Sequence, residues 1–462
     1  MVQDFKNRTW SFLDVSRKYI LGDVKATYQV LIKYFETLIS KFPIDLTKIY
    51  SAPSAAFRIW RTTQLPILHK DGQEVYDISH SLDSQLRATY CGGIVDVYRP
   101  HLQGEGYYYD VNSLYPTAMC KPMPVGIPIE RSLTTSDFYN ERKFIGFVEA
   151  TVQAPINEYI GLLPIKHQGK LICPGGRFKG LFFSEELRFA IDNGYTLLEI
   201  TKGFEFSEGK HTFLDLITQL NEMKITAQRE GKPTIRNLAK LLMNSMYGRF
   251  GMYSILEKTS IIPSSKVSEF EREFSIQKEI RFEDKSLISY TIENLQMLGN
   301  DRLPLKFKVF MDSLPGRTNV AIASAVTAYS RMLINQAKLA ALELGLEIYY
   351  SDTDSLVTNG PLPPEMINST ILGKLKLEHK IKEGIFVMPK VYYLETSEGK
   401  IVTKTKGLPG KLNKEQYLQL LEGQNLNDLL ITKWQRSLKD SKVQILRNEI
   451  EKITPTVCAY MR

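Results

Sequence analysis

The sequence predicts an α+β fold, with antiparallel strands set among long helices. Three observations point there. Apolar residues return at helical spacing over Leu21–Phe42 and again over Asn319–Leu344. Short runs rich in Tyr, Val and Ile end in turn-forming residues, as in GYYYDVNSLYP and EIYYSDTDSLVT. Gly and Pro punctuate Lys121–Lys210 into short strand-like pieces, and no internal repeat or low-complexity tract interrupts the chain.

In order along the chain, Val24, Tyr28, Leu31, Phe35 and Leu38 make the first helix amphipathic, and a second helical stretch covers Ser54–Arg61. Paired glycines in YCGGIVDVYRP interrupt a β-rich run and suggest a turn or a close backbone approach. GYYYDVNSLYPTAMC reads as an apolar strand breaking into a turn from Asp110 to Pro116. His211–Gly251 is helical with an interruption near Gly231–Pro233, and Met252–Pro315 is charge-mixed and irregular, like an insertion. After the Asn319–Leu344 helix comes a strand–turn–strand at Glu347–Thr358, and the C-terminal stretch reads as mainly helical and polar-faced.

Composition narrows the classes. The formal charge of +8, from 59 Lys and Arg against 51 Asp and Glu, suits a polyanionic partner without requiring one. The four cysteines, Cys91, Cys120, Cys173 and Cys458, have no metal-ligand or disulfide-framework spacing, so a reducing compartment is the default. No apolar run is long enough to span a membrane, and the opening MVQDFKNRTW carries no signal core or convincing transit peptide. The expectation is a protein that acts where it is made, or an incomplete chain.

Three segments carry chemistry. In YYSDTDSLV, Asp352 and Asp354 lie two apart at a tight turn, where two close carboxylates repel each other unless a cation intervenes. A polar hairpin tip would also use Asp and Ser there. In DVNSLYP, Asp110 ends a strand; a turn former alone would explain it, but a two-metal site needs carboxylates from separate segments to hold ions about 3.5–4 Å apart. In RNLAKLLMNSMYGRFG, Arg236, Lys240, Asn244 and Tyr247 share one helix face, opposite Leu238, Leu241, Leu242 and Met246. Such a stripe could bind a triphosphate and stack a base, or simply face solvent.

Together and in this order, DVNSLYP, KLLMNSMYG and YSDTDS resemble motifs A, B and C of family B DNA polymerases, closest to the protein-primed branch of linear plasmids and phages. LRATYCGG is similar to that branch's YxGG signature, TAYSR to its template-contacting helix motif, PKVYYL to its KxY motif and TKTKGLPGK to its basic thumb-side segment. The resemblance implies a right hand: an antiparallel palm sheet, helical fingers and a small thumb. It implies two Mg2+ ions, replaceable by Mn2+, on Asp110, Asp352 and Asp354, with Asp352 a supporting ligand. Tyr115 would exclude a ribose 2′-hydroxyl, Tyr247 would stack near the incoming base pair, Arg236 and Lys240 would hold the triphosphate, and Asn244 would shape the site. Lys390 and Tyr392 would grip the primer terminus. Tyr90, Gly92, Gly93, Ser113, Ser245, Gly248, Thr327 and Arg331 would meet template or duplex DNA.

The expected organisation is an exonuclease remnant over 1–45 and a linker with the YxGG segment and first palm part over 46–120. An insertion resembling the terminal-protein-contacting region follows over 121–210, then fingers over 211–251. A second insertion, for processivity and strand displacement, covers 252–318, with palm over 319–405 and thumb over 406–462. Tyr19 and Asp23 in YILGD fit the third exonuclease motif, YxxxD before a helix. No DxE precedes them, so independent proofreading is not expected and the chain reads as truncated or split. The partners implied are primer–template DNA, dNTPs, a terminal protein and a separately encoded exonuclease half, with no membrane. The family branch implies a mitochondrial location if the chain is organelle-encoded, and a cytoplasmic one otherwise. The competing reading is a DNA-binding relic or split-gene fragment without independent catalysis; a polymerase preferring rNTPs is disfavoured by Tyr115.

Overall fold

The computed structural model describes residues 9, 11–45, 49, 51–70, 75, 78, 80–156, 160–252, 258–272, 274–291, 318–406, 412–424, 430–437, 442–450 and 455. Two compact units emerge, one of residues 1–72 and 218–246, the other of residues 73–217 and 247–462.

The described part of the first unit is helical. Its Phe12–Ile39 helix begins at Ser11, whose hydroxyl accepts from the Asp14 amide. Of the stripe expected to pack, Leu38 is buried, whereas Val24, Tyr28 and Leu31 stay exposed. The Ala52–Thr63 helix is closed by a Ser51–Ser54 capping box and buries Phe57, Ile59 and Trp60. The helical region after His211 is two helices, Leu214–Arg229 and Pro233–Phe250, with unit boundaries inside each. Gly231 takes φ +65° between them, and Pro233 opens the second helix, where a missing N–H is harmless.

The second unit is built on a seven-stranded antiparallel sheet. Its order is Val95–Val97, Ile348–Asp352, Ser355–Thr358, His101–Val111, Leu375–Met388, Val391–Thr396, Ile401–Thr405. Alternation splits the YYYD run between two faces. Tyr109 and Val111 enter a core shared with Ile334, Ala337 and Ala341 of the Val320–Glu343 helix. Tyr350, Val357, Phe386, Tyr392 and Leu394 form a second core, against which Tyr108 packs. Register puts Ser355 opposite both Asp110 and Asp352, so the two aspartate-bearing segments end side by side. Burying a ring such as Tyr109 stabilises this arrangement by about 2 kcal/mol.

Region 121–210 contains a four-stranded antiparallel sheet of Ile129–Arg131, Thr196–Phe206, Ile145–Gln153 and Arg177–Phe183, followed at its last strand by the Ser184–Asp192 helix. Its strands reach 11 residues, longer than the short pieces expected. Residues 258–291 are not irregular. Lys258–Pro263, Lys285–Thr291 and Ser275–Phe282 form a three-stranded sheet, with Glu283 at φ +52° in the tight turn before Lys285. Glu-Asp is a poor signal for such a turn, and this concealed the hairpin. Residues 253–257, 273 and 292–317 of that insertion lie outside the described residues.

The C-terminal stretch was expected to be mainly helical and is not. After the Lys414–Leu421 helix come paired strands Leu430–Ser437 and Lys442–Ile450. LITKWQRS and KVQILRNEI carry β-favouring Ile, Thr, Trp and Val, but their apolar residues follow no clean period. Among the described residues no helix is long and apolar enough to cross a membrane.

Candidate active site

At one end of the large sheet the tip Asp352–Thr353–Asp354–Ser355 lines a cavity of about 370 Å³, together with Tyr108, Lys390, Tyr392 and Lys404. Thr353 and Lys390 hold positive φ, +58° and +65°, as does Ser113, three residues beyond Asp110, at +54°. Non-glycine residues persist in that region, at of order 1–3 kcal/mol each, only where their surroundings dictate it. The Asp354 carbonyl accepts from the Val111 amide at 2.8 Å, so Asp354 lies beside the strand end bearing Asp110. Burial pushes the Tyr108 phenol up, and the nearby charges of Asp110 and Asp352 add to the shift.

Asp352 has a lysine partner. Lys390 Nζ stands 2.8 and 2.7 Å from its two carboxylate oxygens, and the Thr353 hydroxyl is 3.2 Å away. The ammonium relieves the repulsion that was expected to demand a cation. Among the described residues no three His, Cys, Asp or Glu side chains gather closely enough to hold a metal. Asp352 is thus paired to Lys390, while Asp110 and Asp354 lie on adjoining segments beside it.

Tyr392 is almost buried, packed on Tyr350 at 5.3 Å and on Phe386 at 6.1 Å between ring centroids and hydrogen-bonded to Tyr108. Burial, more than its neighbours, pushes its phenol up. Lys390 is half exposed at the cavity.

A second aromatic group surrounds Tyr115. Its ring stacks on Tyr247 with centroids 4.5 Å apart and planes 14° from parallel, and the two hydroxyls are hydrogen-bonded. Burial first, then Tyr115, pushes the Tyr247 phenol up. Tyr90 adjoins this pair: burial and then Tyr115 raise its phenol. A β-carbon on Gly251 would come within 2.5 Å of the Tyr90 ring. Arg87, paired to Asp83, donates to the Gly251 and Met252 carbonyls at 3.0 and 2.8 Å and so fixes the end of the Tyr247 helix.

In the first unit, Arg236 is partly buried, Lys240 and Asn244 are exposed and Ser245 is partly buried. Leu238, Leu242 and Met246 are buried as expected, while Leu241 is 48% exposed. Lys224 joins the basic stripe from the neighbouring helix: burial first, then the charges of Arg236 and Lys240, hold its ammonium below the ordinary lysine range. The sequence reading missed Lys224 because the stripe was sought on one helix. It also missed Tyr108, although spacing of two from Asp110 puts both on one strand face.

Two expected DNA contacts are corrected. Thr327 and Arg331 are each 2% exposed, on a helix buried on nearly every side. Thr327 donates to the Ser324 carbonyl at 3.0 Å, and Arg331 spends its donors on Glu186 and on the Cys91 and Gly92 carbonyls. Neither has a surface to offer a duplex. Gly93 has an internal reason to be glycine, since a β-carbon there would lie 2.5 Å from the Thr353 side chain. Gly92 and Gly248 are exposed with open space around them. The Ser113 carbonyl accepts from the Thr117 amide and hydroxyl at 2.9 and 3.0 Å. Tyr19 and Asp23 are exposed and hydrogen-bonded one turn apart within a helix, not before one.

An antiparallel sheet carrying carboxylates at one end, backed by a long buried helix, is the palm of a right-hand polymerase fold. The chain belongs to the DNA polymerase type B family, organellar and viral, whose profile matches residues 1–338. It is 33% identical over 427 residues to a "Probable DNA polymerase" of Podospora anserina, covering 86% of this chain and 34% of that one. It is 32% identical over 461 residues to a "Probable DNA polymerase" of Neurospora intermedia, covering 96% of this chain and 44% of the relative. The chain thus spans less than half the length of these relatives. Its fold is similar to that of phi29 DNA polymerase solved with primer-template DNA and incoming nucleotide substrates: TM-score 0.61, 18% identity, covering 92% of this chain and 70% of that one.

Proposed function

We propose that this chain is the polymerising part of a template-directed DNA polymerase, joining a deoxynucleoside triphosphate to a primer hydroxyl with release of pyrophosphate. The observation that carries the reading is the sheet end where Asp110 and Asp354 lie on adjoining segments, beside the Asp352–Lys390 pair. Asp110 and Asp354 offer the hard oxygen donors that Mg2+, or Mn2+, prefers, and they would hold the two ions of this chemistry. When bound, the ions would lower the pKa of the attacking hydroxyl and neutralise charge on the departing phosphates.

The chain's own residues supply the rest. Lys390, drawn toward Asp352, carries a positive charge at the cavity where a primer's terminal phosphate would pass, and Lys404 adds a second. Arg236, Lys240 and Lys224 would take the triphosphate, each charge-assisted bond contributing about 1.5–3 kcal/mol. Lys224→Met is therefore expected to raise the dNTP KM by tenfold or more, on the order of that loss, with kcat changed far less. Because the Lys224 ammonium is held below the ordinary range, its charge is lost early as pH rises. Wild-type KM should then climb on the alkaline side, and this climb should flatten in the variant. Single-nucleotide kinetics across pH read both effects; an unchanged KM removes Lys224 from the nucleotide site.

Partners extend the proposal. On the Phe12–Ile39 helix, Phe12, Leu21 and Val30 are 76%, 73% and 71% exposed, apolar surface on both sides of the helix that supports a covering polypeptide, here an exonuclease-bearing one. In this reading region 121–210 meets a terminal protein that supplies the priming hydroxyl, and 252–318 serves processivity and strand displacement. The family description, organellar and viral, fits replication of such an element, with a mitochondrial location if the chain is organelle-encoded.

The test is extension of a labelled primer on a short template by the purified chain, with magnesium and dNTPs. Template-directed extension supports the reading. DNA binding without extension overturns independent catalysis and favours the relic or split-gene alternative.

A further inference from the structure

Arg331 and Glu186 form a bidentate ion pair, Nε to Oε1 at 2.7 Å and Nη2 to Oε2 at 2.8 Å, with side-chain exposures of 2% and 4%. The remaining guanidinium nitrogen donates to the Cys91 carbonyl at 2.5 Å and approaches that of Gly92 at 3.3 Å. A buried pair of this kind is a weak source of stability, because desolvation offsets most of its attraction. Burial indeed pushes the Glu186 carboxyl up, against the pull of the guanidinium. Its geometry does something else. The fork ties three separated segments together: the Ser184–Asp192 helix, the Val320–Glu343 helix and the YCGG run.

The YCGG run in turn touches the aspartate hairpin. Gly93 packs against Thr353 so closely that a β-carbon would lie 2.5 Å from its side chain, and the Thr353 amide donates to the Ile94 carbonyl at 3.0 Å. Thr353 is the positive-φ residue between Asp352 and Asp354. We propose that the Glu186–Arg331 pair is a positioning latch, fixing the Cys91–Gly93 backbone from behind and thereby holding the Thr353 turn and the Asp354 carboxylate in catalytic register. Arg331 and Glu186 touch no substrate. Their effect runs through backbone carbonyls, which lysine, lacking the planar fork, cannot serve in the same way. The catalytic part of this inference rests on the polymerase reading above.

The experiment compares wild type, Glu186→Met/Arg331→Met and Arg331→Lys by three readouts: single-nucleotide extension kinetics, thermal melting, and peptide-resolved alkylation of Cys91. The Cys91 thiol is buried and donates to the Ala88 carbonyl, so it reports whether the segment stays in place. The double variant leaves no unpaired buried charge and is expected to melt close to wild type. Its kcat should fall by about 30- to 100-fold, as a small misplacement of a reacting group does, with KM for dNTP changed less than about threefold. Cys91 alkylation should accelerate at least about tenfold, the opening of a protected segment. Arg331→Lys should move both readouts in the same direction by less, and it carries the test if the double variant does not fold.

A kcat within about twofold of wild type overturns the latch, as does a lowered kcat with Cys91 still protected. If the wild-type chain does not extend primers, the polymerase reading fails on that result alone. Cys91 alkylation then decides the structural half: acceleration in the variants upholds the latch, and unchanged protection overturns it.

Discussion

Asp354→Asn is expected to abolish primer extension, lowering kcat by roughly a thousandfold or more, while primer–template affinity stays within about twofold. The carboxylate would hold divalent cations opposite Asp110, and losing its charge removes several kcal/mol of transition-state stabilisation, each 1.36 kcal/mol being a factor of ten. Folding should survive, since asparagine is nearly isosteric and the Asp354 backbone keeps its bonds to Val111 and Asp352. Asp352→Asn should cost markedly less, because Asp352 already answers to Lys390. Gel-shift titration alongside extension kinetics separates binding from chemistry. Extension by Asp354→Asn within tenfold of wild type would remove Asp354 from the reaction, and equal losses at both aspartates would restore Asp352 as a ligand.

That contrast between the two aspartates marks the limit of what the sequence disclosed. The YSDTDS spacing located the turn, because two carboxylates and a hydroxyl flanked by Tyr349, Tyr350, Leu356 and Val357 have few other ways to fold. It could not reveal that Lys390, distant in sequence, would neutralise one of the pair. The same reason hid the role of Arg331. TAYSR looks polar and available in one dimension, yet Ala321–Ala328 and Ile334–Ala341 bury that helix face by face, and Glu186 meets Arg331 only across 145 positions of chain. Periodicity found the long helices and the Tyr109–Asp110 strand, whose patterns are local. It failed at the C-terminal strands and at the Lys258–Thr291 sheet, where pairing is decided by neighbours and by a turn with no glycine.

Loops and sheet therefore divide the work at the site. The sheet supplies rigid places for Asp110 and Tyr108, and the positive-φ turns at Ser113, Thr353 and Lys390 would aim the groups that meet substrate in the proposed reaction. Strain at three such turns survives because each is braced from outside the turn. Thr117 binds back to Ser113, Gly93 and Ile94 press on Thr353, and the Tyr350 hydroxyl accepts the Lys390 amide at 3.0 Å. Catalysis by positioning requires such bracing, since reacting atoms must be held close to their final geometry before the chemical step.

Replacing Tyr115 with valine should remove most of the chain's discrimination between deoxy- and ribonucleotides. Tyr115 follows the braced Ser113 turn and its ring is clamped at 4.5 Å on Tyr247, so as the proposed sugar gate it would not swing aside for a 2′-hydroxyl. A packed wall that rejects one added hydroxyl typically discriminates by about a hundredfold, and a ring held by a second ring is the stiffer case. Valine leaves a gap where the phenol stood, so selectivity should fall to within roughly tenfold of unity. Tyr247 loses its stacking partner at the same time, worth about 0.5–1.5 kcal/mol, so the dNTP KM should rise several-fold as well. Tyr115→Phe separates the effects: the ring and the stack remain while the hydroxyl bond to Tyr247 goes, and selectivity should stay near wild type. The measurement is kcat/KM for dATP against ATP on a template thymine. A valine variant as selective as wild type would place the sugar gate elsewhere, and a wild-type chain favouring ATP would overturn the assignment of deoxynucleotides as substrate.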